Sequence, residues 1–153
     1  MERTGVGFSG GIHPKEVVEC VVYAEELGYE SAWVTEGHGG DQFTILTACA
    51  LATSRIKLGT SISSVFVRSA PTIAMAAACV DDFSNGRFIL GLGSSHRVQV
   101  VGEHGLSYGK PLSRIKESME IIRAIWRDGE ISSYQGNIFS IDWFNLWFRP
   151  LRR

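Results

Sequence analysis

The residues of chemical interest gather at a few points along the chain. Glu36-Gly37-His38 sets a carboxylate and an imidazole one glycine apart, a pair suited to acid-base work or to hydrogen bonds with a ring. The plainer alternative is a solvated loop with a helix-capping role. Ser61, Ser63 and Ser64 follow Gly59-Thr60 and offer hydroxyls on unencumbered backbone, and local turn capping accounts for them equally well. Gly91-Leu92-Gly93-Ser94-Ser95 is glycine-rich without being a GxGxxG or a P-loop, so it implies only a close approach to the backbone or a sharp turn. Four histidines, His13, His38, His96 and His104, show no HxH or HExxH pattern and no carboxylate pair at ligand spacing, so no metal site is expected. Cys20, Cys49 and Cys79 are odd in number, lack a CxxC and sit in apolar, helix-like contexts. They read as buried free thiols of a reducing cytoplasm, not as a disulfide framework, a zinc site or a reactive thiolate.

The elements that must position these groups follow a repeat. Strands are expected over 5–9, 31–36, 57–63 and 87–93, starting 26, 26 and 30 residues apart. Each leads into a helical pattern. The first opens at Pro14 and closes at Gly28, with Val17, Val21, Ala24 and Leu27 at helical spacing. The second spans 42–53 behind Asp41 as N-cap, and the third spans 71–83, preceded by Ser69 or Ala70 and stopped at Asn85-Gly86. In the fourth, 111–127, Ile115, Met119, Ile122 and Trp126 form the expected buried stripe, and Arg114, Arg123 and Arg127 the solvated face. Alternation at this period implies parallel strands with right-handed crossovers. Two architectures fit, an open doubly wound sheet or half of a (β/α)8 barrel, and the near-constant period favours the barrel. In either, ligands bind at the carboxyl ends of the strands. All four histidines, Glu36, the Ser61–Ser64 group and the Gly91–Ser95 group fall there, whereas Gly28-Tyr29-Glu30, Ser54-Arg55 and Asn85-Gly86 at the opposite end are turn chemistry.

The expected organisation is a (β/α)4 unit over 1–129. Over 130–153 it gives way to a hairpin around Gln135-Gly136-Asn137 and an aromatic tail (Trp143, Phe144, Trp147, Phe148) ending on Arg149, Arg152 and Arg153. The 153 residues carry a formal charge of −1, which gives no electrostatic footprint for nucleic acid. Hydrophobic residues make up 44%, enough for a core. The longest apolar run, Ile73 to Val80, falls well short of the roughly 20 residues of a membrane span, and no basic segment followed by an apolar one marks a secretion signal. A cytoplasmic protein is expected.

Four segments, Leu27 to Glu36, Arg55 to Thr60, Ser84 to Gly93 and Arg114 to Trp126, resemble in order the bacterial luciferase-like flavin and deazaflavin oxidoreductases. The resemblance covers about residues 5–150. Gly93 to Val100, with His104-Gly105-Leu106 after it, is most similar to the coenzyme F420-dependent branch that includes methylenetetrahydromethanopterin reductase. It implies a TIM barrel that binds F420 or FMN at the carboxyl-end face and transfers hydride to or from a small-molecule substrate, the cofactor carrying the chemistry. An FMN-dependent monooxygenase is the competing enzymatic reading. The resemblance further implies a non-proline cis peptide against the ring at the end of the third strand, here Ser61-Ile62, with Ser63 beside it. Glu36 and His38 would contact the ring or move protons, although the branch ordinarily has Asp in place of Glu36 and no intervening Gly37. Gly93, Ser94, His96 and Gln99 would lie near the ring or substrate, and Phe8 would line the pocket.

A complete barrel of this type needs about 250 residues. Four parallel strands alone leave two open edges. Two expectations follow. In one, the chain self-associates, the fourth strand of one copy pairing with the first of another, so that a homo-oligomer completes the barrel. In the other, the chain is a truncated or degenerate relative that serves as a non-catalytic binding or assembly module.

Overall fold

The computed structural model describes residues 4–151. Arg152 and Arg153 lie outside the described residues. The elements run β1 Gly5–Phe8, α1 Pro14–Glu26, β2 Ser31–Val34, α2 Gln42–Ala52, β3 Lys57–Thr60, β4 Ser63–Ser64, α3 Ala70–Phe83, β5 Phe88–Ile89 and β6 Leu92–Gly93. A π-helix, Gln99–Glu103, then precedes α4, Pro111–Asp128. Four two-residue strands follow: β7 Glu130–Ile131, β8 Tyr134–Gln135, β9 Ser140–Ile141 and β10 Phe144–Asn145.

Strands β1, β2, β3 and β5 form one parallel sheet in that order. Register sorts the side chains by period two. Phe8, Val34 and Thr60 stand in one row and are buried, as are Ala32, Leu58 and Phe88 in the next row of the same face. This face packs on the helices, against Val17 and Val21 of α1, Leu46 and Cys49 of α2, Ile73 and Ala77 of α3 and Ile121 and Ile125 of α4. The other face carries Gly7, Trp33, Gly59 and Ile89 in one row. A Cβ on Gly59 would overlap the Trp33 ring, so the indole lies flat over the neighbouring strand, its N–H donating to Ser31 Oγ at 2.9 Å.

The two expected strands 57–63 and 87–93 are each broken. The Ser61-Ile62 peptide is cis, and beyond it β4 pairs with β6 in a separate parallel ladder. Thr60 Oγ1 sits at this break, donating to Gly91 O and accepting from Gly91 N, both at 2.8 Å. Local chemistry sets the helix ends. His13 caps α1 in a capping box with Glu16 ahead of Pro14, and Asp41 and Ser69 accept from Thr44 and Thr72 to cap α2 and α3.

Four expectations are corrected. Cys20 is exposed, whereas Cys49 is buried and all three thiols are free. Cys20 lies one residue, about 100° of helix, from the Val17–Val21–Ala24 stripe. On α4 the buried face is Ser118, Ile121, Ile122 and Ile125, while Met119 is 37% exposed. The helix is therefore turned so that Ile115, Met119 and Trp126 border the β5 edge of the sheet, with Leu90 and Leu92. Arg114 is not on the solvated face: its guanidinium lies 4.6 Å from the Phe66 ring centroid and 5.1 Å from that of Phe139. The hairpin also reaches further than its turn implied, β8 pairing with β9 and β7 with β10, so Phe144 of the aromatic segment is part of it. The hairpin is fastened to α4 by Glu117, which accepts from the backbone of Asn137, Ile138 and Phe139 at 2.9–3.0 Å.

The amino-end loops are stitched by charged side chains that satisfy backbone groups. Arg87 donates to the carbonyls of Ala50, Thr53, Ile56 and Ser84 at 2.7–3.0 Å, closing the end of α2. Glu25 of α1 accepts from the amides of Ser54, Arg55 and Ile56 at 2.6–3.1 Å. Burial opposes its charge, yet these donors outweigh that cost and hold the carboxyl down to about 2. A folded-state value below the unfolded 4.5 stabilises the protein above that pH, and the contribution is lost as pH falls from about 4.5 to about 2. After solvent screening of this half-exposed group, Glu25→Gln is expected to lower stability by about 1 kcal/mol at pH 7. The deficit should shrink below about pH 4.5 and vanish near pH 2 in urea melts of the two proteins; a deficit independent of pH would contradict this.

Candidate functional site

Four loops at the carboxyl ends of the parallel strands enclose two contiguous clefts. One, of about 430 Å³, lies among Ser9-Gly10-Gly11, Thr35 to His38, Ser61-Ile62 and Ser95, His96 and Gln99. The other, of about 590 Å³, extends from it toward Asp41, Arg68, Glu103 and His104. Glu36, Gly37, His38, Ser95 and Gln99 border both. Such volumes accommodate a small organic ligand or the ring of a cofactor.

The loop from Glu36 to Asp41 is built to be held from outside. Three of its four inner residues are glycine, Gly40 at φ +120°, and His38 is the only inner side chain with a functional group. Glu36 Oε2 accepts from Ser64 N at 2.7 Å, and Glu36 Oε1 from Arg68 Nε. The Arg68 Nη2 donates to Asp41 Oδ2, while Asp41 Oδ1 caps α2 through Thr44. Burial works against the charges of Asp41 and Arg68, but their mutual hydrogen bond, with further donors on Asp41 and Glu36 on Arg68, holds the Asp41 carboxyl below and the Arg68 guanidinium above their ordinary ranges. The guanidinium lies 5.2 Å from the Phe43 ring centroid. His38 Nε2 is 2.9 Å from Glu103 Oε2, which ties the loop to the π-helix.

Beneath the cleft the fully buried Gln42 donates its amide to Val34 O at 2.7 Å and to Ile62 O at 3.2 Å, linking the ends of β2 and β3. A Cβ on Gly93 would come within 2.6 Å of Ile62 Cγ1, and one on Gly91 would overlap the Thr60 carbonyl. The glycines let the fourth strand approach the third, so that Ile62 is pressed toward the cleft.

Of the residues singled out from sequence, the structure brings Glu36, His38, Ser61, Ile62, His96 and Gln99 together around the 430 Å³ cleft. Ser63 is fully buried below it, and Gly93 supports Ile62 without bordering it. Ser94 is half-buried and borders neither cleft, although its neighbour Ser95, at φ +55°, borders both. Phe8 is buried on the helix-facing side of the sheet, near Val17 and Ile45, because its register places it in the row of Val34 and Thr60. His13 is spent on its helix cap. Sequence reasoning passed over Arg68, Asp41 as an ion-pair partner, Gln42 and Glu103. Apart from Val34, their cross-loop partners lie 20–65 residues away, and only Asp41, an N-cap signal, carried a local mark.

Known proteins place the chain. A family model described as luciferase-like monooxygenase matches residues 2–153. The chain is similar to a 5,10-methylenetetrahydromethanopterin reductase of Archaeoglobus fulgidus, 31% identical over 149 residues, covering 97% of this chain and 44% of that one. It is likewise 31% identical over 150 residues to an F420-dependent glucose-6-phosphate dehydrogenase of Amycolatopsis mediterranei, covering 90% and 45%. Among solved structures it is similar to a type II Baeyer–Villiger monooxygenase, the oxygenating constituent of 3,6-diketocamphane monooxygenase of Pseudomonas putida, in complex with FMN. There the TM-score is 0.80 at 18% identity, over 92% of this chain and 44% of that one. The four strand–helix units are thus half of a TIM-barrel fold, and the chain spans less than half the length of each of these proteins.

The close approach of the third and fourth strands generates a test of the cleft floor. Gly91→Ala is expected to cost about 1–3 kcal/mol, as overpacking against backbone does. Gly7→Ala, where a Cβ meets nothing within 4 Å, should fall within about 0.5 kcal/mol of the parent. Denaturant midpoints of the two variants decide it; equal stabilities would contradict the packing.

Proposed function

The chain belongs to the luciferase-like monooxygenase family, and on that premise we propose that it forms the ring-binding part of an oxidoreductase that uses coenzyme F420, with FMN the alternative cofactor, to move hydride to or from a small organic substrate. The observation that carries this reading is the convergence of Ser61, Ile62, His96, Gln99, Glu36 and His38 on one cleft at the carboxyl ends of parallel strands. Those residues suit a flat, polar-edged ring. Ile62 supplies an apolar surface, and Ser61, His96 and Gln99 supply hydrogen-bonding groups at the rim. Gly10 and Gly11, whose Cβ positions face open space, leave the opposite edge clear. F420 is favoured because the 31% identical relative is named as F420-dependent.

When bound, the deazaflavin or flavin supplies the carbon or nitrogen that gives or takes hydride. The chain's part is to orient that ring and manage protons at its edge. His38, 78% exposed at the rim, sets its Nε2 at 2.9 Å from Glu103 Oε2, a contact that orients the imidazole. Both oxygens of Glu36 are engaged, by Ser64 and by Arg68. It therefore acts on the ring's surroundings by shaping the loop, and proton transfer falls to His38.

The proposed partner is a second copy of the chain. Among the described residues the sheet ends at β1 and β5, and apolar cavities of about 330 and 340 Å³ run beside the β5 edge, bordered by Leu90, Leu92, Met119 and Trp126. Pairing β5 of one copy with β1 of another would cover both and give an eight-stranded ring.

Two measurements test these statements. Titration of the purified chain with F420 and FMN, followed by fluorescence, should show saturable F420 binding at micromolar or lower concentration. His38→Asn should leave that binding within about threefold while lowering hydride-transfer turnover at least tenfold. Absence of binding to either cofactor would overturn the oxidoreductase reading in favour of a non-catalytic module. Light scattering should give twice the chain mass, and a monomer at 50–100 times the assay concentration would overturn the paired-copy proposal.

A further inference from the structure

A single guanidinium spans both ends of the glycine loop that carries His38, and from this juxtaposition we propose that Arg68 is the positioning residue of the cleft, holding the Glu36–Asp41 loop, and His38 with it, against the end of β4. The loop cannot hold itself. Gly37, Gly39 and Gly40 bring no side chains to pack, and Gly37 and Gly40 meet only in an isolated bridge. Its two end residues are carboxylates, and Arg68 donates Nε to the first and Nη2 to the second. A planar fork with fixed donor directions can hold both at once; a lysine ammonium on a flexible stem cannot reproduce that geometry. The fork is itself held, with its side chain 21% exposed and its plane over Phe43. Each carboxylate passes the constraint on. Glu36 takes the Ser64 amide of β4, and Asp41 takes the Thr44 amide at the start of α2. Arg68 thus joins the strand 2 exit, the strand 3 exit and a helix N-terminus. All three of Glu36, Asp41 and Arg68 border the larger cleft. Among the described residues the His38 side chain itself is tethered by Glu103, at a more exposed site with side chains 78% and 41% open to solvent, and such a pair contributes little by itself.

The clamp is a matter of this chain's own geometry; its consequence for cofactor affinity rests on the oxidoreductase reading. The test therefore has two arms on the full chain. In the first, amide hydrogen exchange is compared for the parent, Arg68→Ala and Arg68→Lys. Arg68→Ala is expected to speed exchange at least tenfold across 36–44 and at Ser64, with 5–8 and 31–34 unchanged. Arg68→Lys, which retains one contact and protects against outright misfolding, should lie between. Unchanged exchange over 36–44 in both variants would overturn the proposal whatever the chain binds. In the second arm, F420 and FMN titrations of the same proteins should show at least tenfold weaker binding for Arg68→Ala, restored in part by tens of millimolar guanidinium and not by ethylammonium. Equal affinity in parent and Arg68→Ala would overturn the proposal while leaving the oxidoreductase reading intact. A parent that binds neither cofactor would overturn that reading, and the exchange arm would still decide the clamp.

Discussion

The Glu36 carboxylate is the constraint around which the carboxyl end of the sheet is arranged. A charge that is only about 15% exposed must be met by donors, and each donor that meets it fixes a different piece of chain. The Ser64 amide fixes the short ladder beyond Thr60, and Arg68 fixes the approach to α3 and, through Asp41, the start of α2. The loop between Glu36 and Asp41 is then free to be glycine, which leaves room above the strand ends and puts one imidazole at the rim. A hydrophobic side chain at position 36 would remove the charge and with it the reason for three loops to meet.

The two ends of the sheet spend their charged residues differently. At the amino end, Glu25 and Arg87 saturate backbone amides and carbonyls. At the carboxyl end the charged side chains also bond one another, Glu36 to Arg68 to Asp41 and His38 to Glu103, around a cleft that remains open. This division is the one expected of a parallel α/β fold, in which one end is packed shut and the other is where ligands bind. Glycine is used in the same way. Gly59 admits the Trp33 ring, Gly91 admits the Thr60 carbonyl and Gly93 admits Ile62, so that neighbouring strand ends crowd together and push Ile62 toward the cleft.

Much of this was legible along the chain because the signals are local. The 26-to-30-residue repeat, Pro14 and Gly28 at the ends of α1, Asp41 and Ser69 as caps, and the sorting of histidines to one end need only neighbours in sequence. The resemblance located the cis peptide at Ser61-Ile62, where it is found. What was missed depends on distant partners or on rotation. Arg68 carries no motif, since its meaning lies in carboxylates 27 and 32 residues away. The buried face of α4 was misphased from its own residues, because its apolar side chains spread over a broad arc of the helix and the contact with α3 chooses among them. Arg114 read as solvated for want of knowing that Phe66 and Phe139 flank it. Phe8 sits at a strand end as expected, but period-two register turns it toward the helices.

The central claim is that the cleft between the strand 2 loop, the Ser61-Ile62 corner and the Ser95–Gln99 segment is where a deazaflavin or flavin ring lies. The most direct measurement is a set of amide ¹H–¹⁵N spectra of the full chain recorded through an F420 titration. The account predicts that the largest shifts fall on Ser61, Ile62, Ser95, His96 and Gln99 with Gly10 and Gly11, while Glu25, Arg87 and the hairpin residues 130–145 stay still. Shifts confined to the β5 edge around Leu90 and Leu92, or spread evenly over the surface, would contradict it.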